Sequence, residues 1–489
     1  KLPAKLLRQT VNSSSTHIAR LFNQCIDNST FPDAAKLAEV VPYFKKDDNL
    51  LVKNYRPISI LPVLSKILER LMLNQMTPFL VSILHPRIAA YRVGYSCQTV
   101  LLRLVEDWKL AAEKKHHIGG VMMDLSKAFD CLPHELIVAK FHAYGANAQS
   151  SALIWSYLRN RKQRVRISGQ VSGWQTLKKG VPQGSIMGPV FFNLFVNDIV
   201  YEFRKASLYN YADDNTISVS GPSRDTVIQI LAGETQVAID WFGKNMMEAN
   251  PQKFQALFLR NDKTQSDSCN IKLNDFEIKS ERNVKLLGVK LDENLNFNEH
   301  IRDVCRKSGA QLNVLNRLSK YLDFNGRMSI FRCFILSHFN YCALVWHFCG
   351  AVNSKKLERI QYRALRFVFM DFESTYETLL DKAKLMPLEV SRKQMLLKEV
   401  YKAVNGISPE ILRDLFKMKN VTYNLRSRNT VEVAHCRTSK FGLNRISNYG
   451  AKLWNSLPEE MKDSKDYHSF CKQAEAWTEP LCKCRQCRF

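Results

Sequence analysis

The stretch Leu208-Tyr209-Asn210-Tyr211-Ala212-Asp213-Asp214-Asn215-Thr216-Ile217-Ser218-Val219 reads as two short strands flanking a tight polar turn at Ala212 to Asn215. The turn carries adjacent carboxylates, Asp213 and Asp214. A solvated Asp-Asp turn would look the same, so a second element has to decide. Upstream, after Gly119-Gly120, the run Val121 to Leu125 reads as a short buried strand and bears Asp124 near its end. Hard cations take oxygen ligands, so aspartates on neighbouring strands suit paired divalent ions. Phosphoryl transfer from a nucleoside triphosphate uses two such ions about 3.5–4 Å apart, one activating the attacking hydroxyl and one holding the triphosphate.

The composition fits a polyanionic partner. Lys and Arg number 71 against 46 Asp and Glu, a formal net charge of +25 over 489 residues, and such a surplus attracts nucleic acid at long range. A chain of this length is expected to split into two or three packed subdomains. The longest near-apolar run, Ser329 to Trp346, is broken by Arg332, His338 and Asn340, so no membrane span is expected. The 13 cysteines are mostly scattered, the pattern of reduced thiols inside a cell. Lys rather than Met opens the sequence, which suggests a segment of a longer reading frame.

Working outward, helical spacing is expected over Thr16 to Asp27 and again over Leu64 to Leu80, with Leu64, Ile67, Leu68, Leu71 and Met72 along one stripe. Val40 to Pro62, interrupted by prolines and basic residues, reads as short strands and loops. A helix bounded by Pro133 is expected after the Asp124 strand. Arg164 to Leu177, with Gly169 and Gly173 at its centre, reads as a β-hairpin leading into the turn Gly180 to Gly184, and Val190 to Phe195 as the start of a helix. Beyond about Ile301 the pattern is mainly helical: Val304 to Leu322, Met328 to Leu336 and Lys355 to Phe369. The basic run Arg159 to Arg166 either tracks a phosphate backbone or is a solvated hairpin face.

Five segments stand in a fixed order: Asn54-Tyr55-Arg56-Pro57-Ile58-Ser59-Ile60-Leu61-Pro62, Asp124-Leu125-Ser126-Lys127-Ala128-Phe129-Asp130, Gly180-Val181-Pro182-Gln183-Gly184-Ser185, Tyr211-Ala212-Asp213-Asp214 and Leu287-Gly288-Val289. With them the sequence resembles the reverse transcriptases of non-LTR (LINE-type) retrotransposons of the CR1, L2 and jockey groups, over nearly its whole length. The resemblance implies an RNA-directed DNA polymerase that extends a DNA primer 3′-hydroxyl with deoxynucleoside triphosphates. It implies two Mg²⁺ ions, with Mn²⁺ as a substitute, held by Asp124, Asp213, Asp214 and the Leu125 carbonyl. Phe129 would lie under the sugar of the incoming nucleotide and reject a 2′-hydroxyl. Pro182, Gln183 and Gly184 would contact the nascent pair and template, and Leu287-Gly288 would support the primer terminus. Arg92 would grip the triphosphate, although Ala89-Ala90 and Cys97 depart from the family pattern there; Arg56, also placed near primer and template, and Lys46 are the alternatives. Lys253, after Asn250-Pro251, would protonate the leaving pyrophosphate.

The fold class expected on these grounds is α+β, a right-hand polymerase: an N-terminal helical extension over 1–39, fingers over 40–117, a palm of antiparallel sheet plus helices over 118–270, a primer-grip region and mainly helical thumb over 271–400, and a basic region of unknown role over 401–489. The partners implied are template RNA, a DNA primer or nicked target DNA, and deoxynucleotides, in a ribonucleoprotein of cytoplasm and nucleus, with no membrane. Two rivals are a non-catalytic or domesticated maturase-like RNA-binding derivative, which should have lost an aspartate, and an RNA-templated RNA polymerase, which should avoid a bulky ring at Phe129. Cys482, Cys484 and Cys487, with Cys471 or His468 nearby, are expected to be a basic tail rather than a zinc site. Trp454-Asn455-Ser456-Leu457-Pro458 resembles the tail of the same elements. No nuclease constellation is seen, so the chain is expected not to nick its own target DNA.

Overall fold

The computed structural model describes residues 3–260, 269–274, 276–419 and 429–478, apart from the side chain of Ser126. The cysteines 482, 484 and 487 and the stretch Arg426-Ser427-Arg428 lie outside the described residues. The chain forms two compact units, one of residues 1–91, 123–215 and 233–254 and the other of residues 92–122, 216–232 and 255–489. Both mix helices with mainly antiparallel strands, so the fold is α+β.

In the first unit a five-stranded sheet centres on strand Leu37–Phe44, which pairs antiparallel with Tyr55–Ile60 and parallel with Lys162–Ile167. The latter pairs in turn with Gln170–Val171 and Gln175–Thr176. The hairpin anticipated around Gly169 closes through Ser168 and Gly169, both at positive φ, the backbone that a two-residue loop between twisted strands requires. The basic run on this hairpin is divided: Arg159, Lys162 and Arg166 are exposed, while others are used within the protein. Arg161 is buried against the Tyr157 ring and donates to the Tyr157 carbonyl, while Arg164 and Arg166 pair with Glu39 at 2.7 and 3.5 Å.

Helix Val63–Ile83 buries Leu68 and Met72, but Leu71 from the anticipated stripe faces outward. Its most buried charge, Glu69, is turned inward and accepts hydrogen bonds from the Ile186 and Met187 amides at 2.7 and 3.3 Å. A carboxylate there complements the amino end of helix Gly188–Val196, whose Phe191, Phe192 and Phe195 are fully buried. Pro133 does not close a helix. It begins one, as N-cap of His134–Ala143, where its missing N–H and fixed φ do no harm. Residues between Asp124 and Pro133 form a two-residue strand and turns instead.

In the second unit the strand bearing Gly119 and Gly120 starts earlier than its apolar run suggests, at His117, and the glycines lie inside it. A Cβ at Gly119 would stand 2.6 Å from the Phe258 ring, and one at Gly120 2.9 Å from Trp108, so both are packing sites rather than breaks. Strand His117–Met123 lies between Asp214–Gly221 and Gln255–Phe258. The hairpin Asn283–Leu286 with Val289–Asp292 follows. The rest is helical, as its periodicity indicates: Asn298–Leu318, Phe324–Ile330 continued by a wider turn over Phe331–Leu336, Ala351–Phe369 and Leu388–Val404. The C-terminal region adds Ile446–Asn455 and Tyr467–Ala476, with Trp454 buried and Tyr401 stacked on Phe470 at 4.3 Å. Among the described residues no helix is long and apolar enough to cross a membrane.

Candidate active site

Strands Ser207–Tyr211 and Asp214–Gly221 leave Ala212 and Asp213 as the turn between them, with Ala212 in the left-handed region at φ 56°. Two buried asparagines brace it. Asn210 Nδ2 donates to the Ala212 carbonyl at 2.8 Å and to Asn215 Oδ1 at 2.9 Å, and Asn215 Nδ2 donates to the Asp213 carbonyl at 3.2 Å. These bonds fix a strained turn whose two carboxylates remain exposed. Neither asparagine stands out in sequence; the available signal is their placement at both feet of the acidic turn.

Asp124 follows its strand and is held through the main chain: its carbonyl accepts from the Asn250 amide at 3.1 Å, and Leu125 pairs with Ala249. This pairing brings Lys253 across, and its Nζ lies 3.0 Å from Asp124 Oδ2. The carboxylates feel one another. Desolvation, then the charges of Asp213 and Asp124, push the Asp214 carboxyl up to about 6, with Lys45 pulling it back. Burial and then the Asp213 charge raise the Tyr91 hydroxyl.

Phe129, half-buried, stacks on Phe192 with ring centroids 4.7 Å apart and planes 26° from parallel; the Tyr91 ring meets it edge-on at 6.2 Å. Phe129 is therefore backed by one fully buried ring and flanked by another. Sequence alone does not single out Phe192 or Tyr91, because their relation to Phe129 is purely spatial.

The loop Gly180 to Ser185 is zipped onto the residues after Phe129. The Val181 amide donates to the Phe129 carbonyl at 2.9 Å and the Gly180 amide to the Leu132 carbonyl at 2.7 Å; His134 Nε2 donates to the Gly180 carbonyl at 2.8 Å. Burial lowers the His134 pKa, with the Gly180 hydrogen bond drawing it back, and a carbonyl partner makes Nε2 the donor. Both glycines are required by close approach at positive φ: a Cβ at Gly180 would lie 2.6 Å from the Asp130 carbonyl oxygen and one at Gly184 2.7 Å from that of Ser59. Pro182 is buried, and the Gln183 carbonyl accepts from the Ser59 amide at 2.7 Å. Arg56 is exposed on the neighbouring strand, and Lys46, in the bend between the two strands, is exposed too and stands 3.9 Å from Asp47.

The first unit thus gathers Asp124, Leu125, Phe129, Pro182, Gln183, Gly184, Asp213, Asp214, Lys253 and Arg56. The remaining candidates belong to the second unit. There the Arg92 guanidinium lies over the Tyr95 ring at 4.5 Å; burial lowers its pKa and the charges of Tyr95 and Glu410 draw it back. Leu287 and Gly288 form the two-residue loop of their hairpin, at φ 46° and 81°, and the Leu287 carbonyl accepts from the Tyr341 hydroxyl at 2.8 Å.

Among the described residues no three carboxylate, imidazole or thiol groups already stand close enough to cage an ion. The donor set suits a hard cation nonetheless: carboxylates only, one of them raised by desolvation and then by its neighbours' charges, with a lysine ammonium against another.

Carboxylates, a glycine-proline-glutamine loop and a backed aromatic ring within one compact unit are the marks of the nucleic-acid polymerases. More narrowly, the chain belongs to the reverse transcriptase (RNA-dependent DNA polymerase) family, whose model matches residues 44–291, just over half of its 489 residues. It is 25% identical over 366 residues to a probable RNA-directed DNA polymerase from transposon BS of Drosophila melanogaster, covering 72% of this chain and 40% of that protein. It is also 25% identical over 378 residues to the RNA-directed DNA polymerase from the mobile element jockey of Drosophila funebris, covering 75% and 41%. The chain therefore spans about two-fifths of the length of these curated relatives. Among solved structures, apo telomerase from Candida tropicalis aligns with a TM-score of 0.44 at 10% identity, over 82% of this chain and 68% of that one.

Proposed function

We propose that this chain is the RNA-directed DNA polymerase of a non-LTR retrotransposon, extending a DNA primer on an RNA template. What supports the proposal most is an all-carboxylate set in a chain of the reverse transcriptase family: the Asp214 carboxyl is raised to about 6 by desolvation and then by the charges of Asp213 and Asp124, and Lys253 stands 3.0 Å from Asp124. Mutual repulsion of this kind is relieved by cations. Asp124, Asp213 and Asp214, with the Leu125 carbonyl, would hold two Mg²⁺ ions, which when bound lower the pKa of the attacking hydroxyl and neutralise phosphate charge. No thiol or imidazole enters the set, so oxygen-preferring ions are favoured over zinc.

The chain's own residues supply selection and proton handling. Phe129, backed by Phe192, forms a wall that a 2′-hydroxyl would strike. Gln183 and the Gly184 backbone face the nascent pair, and Leu287-Gly288 meets the primer terminus. The Lys253 ammonium, on leaving Asp124, gives one of its protons to the departing pyrophosphate oxygen and is left as the neutral amine. Arg92, or failing it Arg56 or Lys46, engages the triphosphate. In domain terms, residues 40–117 act as fingers, 118–270 as palm and 271–400 as primer grip and thumb.

The test is primer extension by the purified chain on RNA and DNA templates, with deoxy- and ribonucleotides, beside Asp213→Asn. The wild type should extend on RNA with deoxynucleotides. Asp213→Asn should lose extension and keep template binding, because basic surface supplies most of the affinity. Extension by Asp213→Asn near the wild-type rate would refute the site.

A further inference from the structure

The amide of Gln183 is locked from behind. Its Nε2 lies 3.0 and 3.1 Å from the two carboxylate oxygens of Asp130, which the same segment as Phe129 presents. Burial raises the Asp130 carboxyl, and the Gln183 amide and then Lys127 draw it back. An ionised carboxylate only accepts hydrogen bonds, so the nitrogen end of the amide must face Asp130 and the oxygen end must face away. Gln183 is half-buried, and among the described residues no donor reaches its Oε1. Rotation about the terminal torsion is otherwise nearly free for glutamine. The backbone around the pair is fixed independently, by Val181 on Phe129, Gly180 on Leu132 and His134 on Gly180, so side-chain polarity is the remaining variable.

We propose that Asp130 is a positioning residue that fixes the polarity of Gln183, so that the site offers bound nucleotide or template a hydrogen-bond acceptor and never the amide's donor face. This rests on the reading of the Gly180 to Ser185 loop as a nucleotide-contacting surface. It adds a residue that does not touch the ligand, and it specifies the ligand group as a donor, a hydroxyl or an amine.

Swapping the polar groups between the two positions tests the idea, since Asp/Asn and Gln/Glu are nearly isosteric and each variant should fold. In Gln183→Glu two carboxylates meet at hydrogen-bond distance and must share a proton. Extension at pH 8 should fall about tenfold or more, mainly through KM for the deoxynucleotide, and partly return as the pH is lowered towards 6. In the double variant Asp130→Asn/Gln183→Glu the amide introduced at position 130 donates, and one oxygen of the carboxylate introduced at position 183 again faces outward as an acceptor. Extension at pH 8 should return to within about threefold of wild type, with the pH dependence of the single variant gone. A double variant no better than Gln183→Glu, with unchanged melting and circular dichroism, would overturn the proposal. So would a Gln183→Glu variant whose KM and pH profile match wild type. A wild-type chain that extends no primer would instead bring down the reading of the loop itself, and this inference with it.

Discussion

Lys253 Nζ lies 3.0 Å from Asp124 Oδ2, joining a residue near the end of one strand to a short turn 129 positions later. Both side chains stay largely in water, 62% and 42% exposed, and a pair of that kind contributes only about 0–1 kcal/mol to folding. A role in stability therefore cannot account for it. Lys253→Met is expected to leave the thermal midpoint within about 2 °C of wild type and to slow single-turnover extension about 100-fold. Arginine at this position should recover little, because a guanidinium does not give up its proton. Wild-type extension by Lys253→Met would end the proton-donor reading.

The stack of Phe129 on Phe192 makes a second prediction. Valine at 129 shortens the wall while Phe192 remains buried behind it, so ribonucleotides should gain access. Discrimination between deoxy- and ribonucleotides, measured as a ratio of kcat/KM, should fall about tenfold or more in Phe129→Val. Phe192→Leu should produce a smaller change in the same direction, since it leaves the ring in place without its backing. An unchanged ratio in Phe129→Val would mean that the ring is only a core aromatic.

Asp214 makes the third. Its carboxyl is raised to about 6, whereas in the unfolded chain it titrates near ~3.9. Between those values the folded chain holds a proton that the unfolded chain has lost, so in the absence of divalent ions stability falls as pH rises through that window. The deficit is complete above about pH 6 and absent below about pH 4. Solvent near the side chain keeps it small. Without divalent ions, Asp214→Asn should melt about 1–3 °C above wild type at pH 7.5 and together with it at pH 4. Parallel melting curves across that range would contradict the raised Asp214 carboxyl.

The parts of the site that were legible in the sequence are those built from contiguous residues. Asp213-Asp214 and Gly180 to Gly184 announce their own turns, because the residue types needed are adjacent in the chain. What could not be read is what holds these pieces. Glu69 meets the Ile186 amide 117 positions away, and Asn210 and Asn215 matter only once two strands are side by side. Local grammar also misleads where one residue has two uses. Pro133 punctuates a helix from its front rather than its back, and Gly119-Gly120 looks like a break although Trp108 and Phe258 fill the space a Cβ would occupy. The C-terminal region was the least legible. Its polar, basic sequence conceals how much of it is buried.

That region supplies the last prediction, through helix Cys97–Glu113 of the same unit. Arg103, Glu106, Lys109 and Glu113 recur along it at intervals of three or four, the spacing of one helical face. Such a stripe would ordinarily be solvated; here it is spent on the backbone of residues 411–447. Arg103 Nη1 donates to the Ile411 carbonyl at 3.0 Å and Lys109 Nζ to that of Asn444 at 2.7 Å, with burial pushing Lys109 down to about 8. Glu106, only 3% exposed, accepts from the amides of Ile446 and Ser447 and from Ser447 Oγ at 2.7 Å, capping helix Ile446–Asn455 at its positive end. Glu113 makes the corresponding contacts to Arg437 and Thr438 in the open. Removing Glu106 leaves the buried Ile446 amide and the half-buried Ser447 amide without their acceptor, whereas removing Glu113 returns its partners to solvent. Glu106→Ala should therefore cost about 2–3 kcal/mol in denaturant unfolding and Glu113→Ala about 1 kcal/mol or less. Limited proteolysis of Glu106→Ala should open first around residues 430–446. Equal costs for the two alanine variants would mean that the C-terminal region is not anchored through Glu106, and that this face of the helix is ordinary solvated charge.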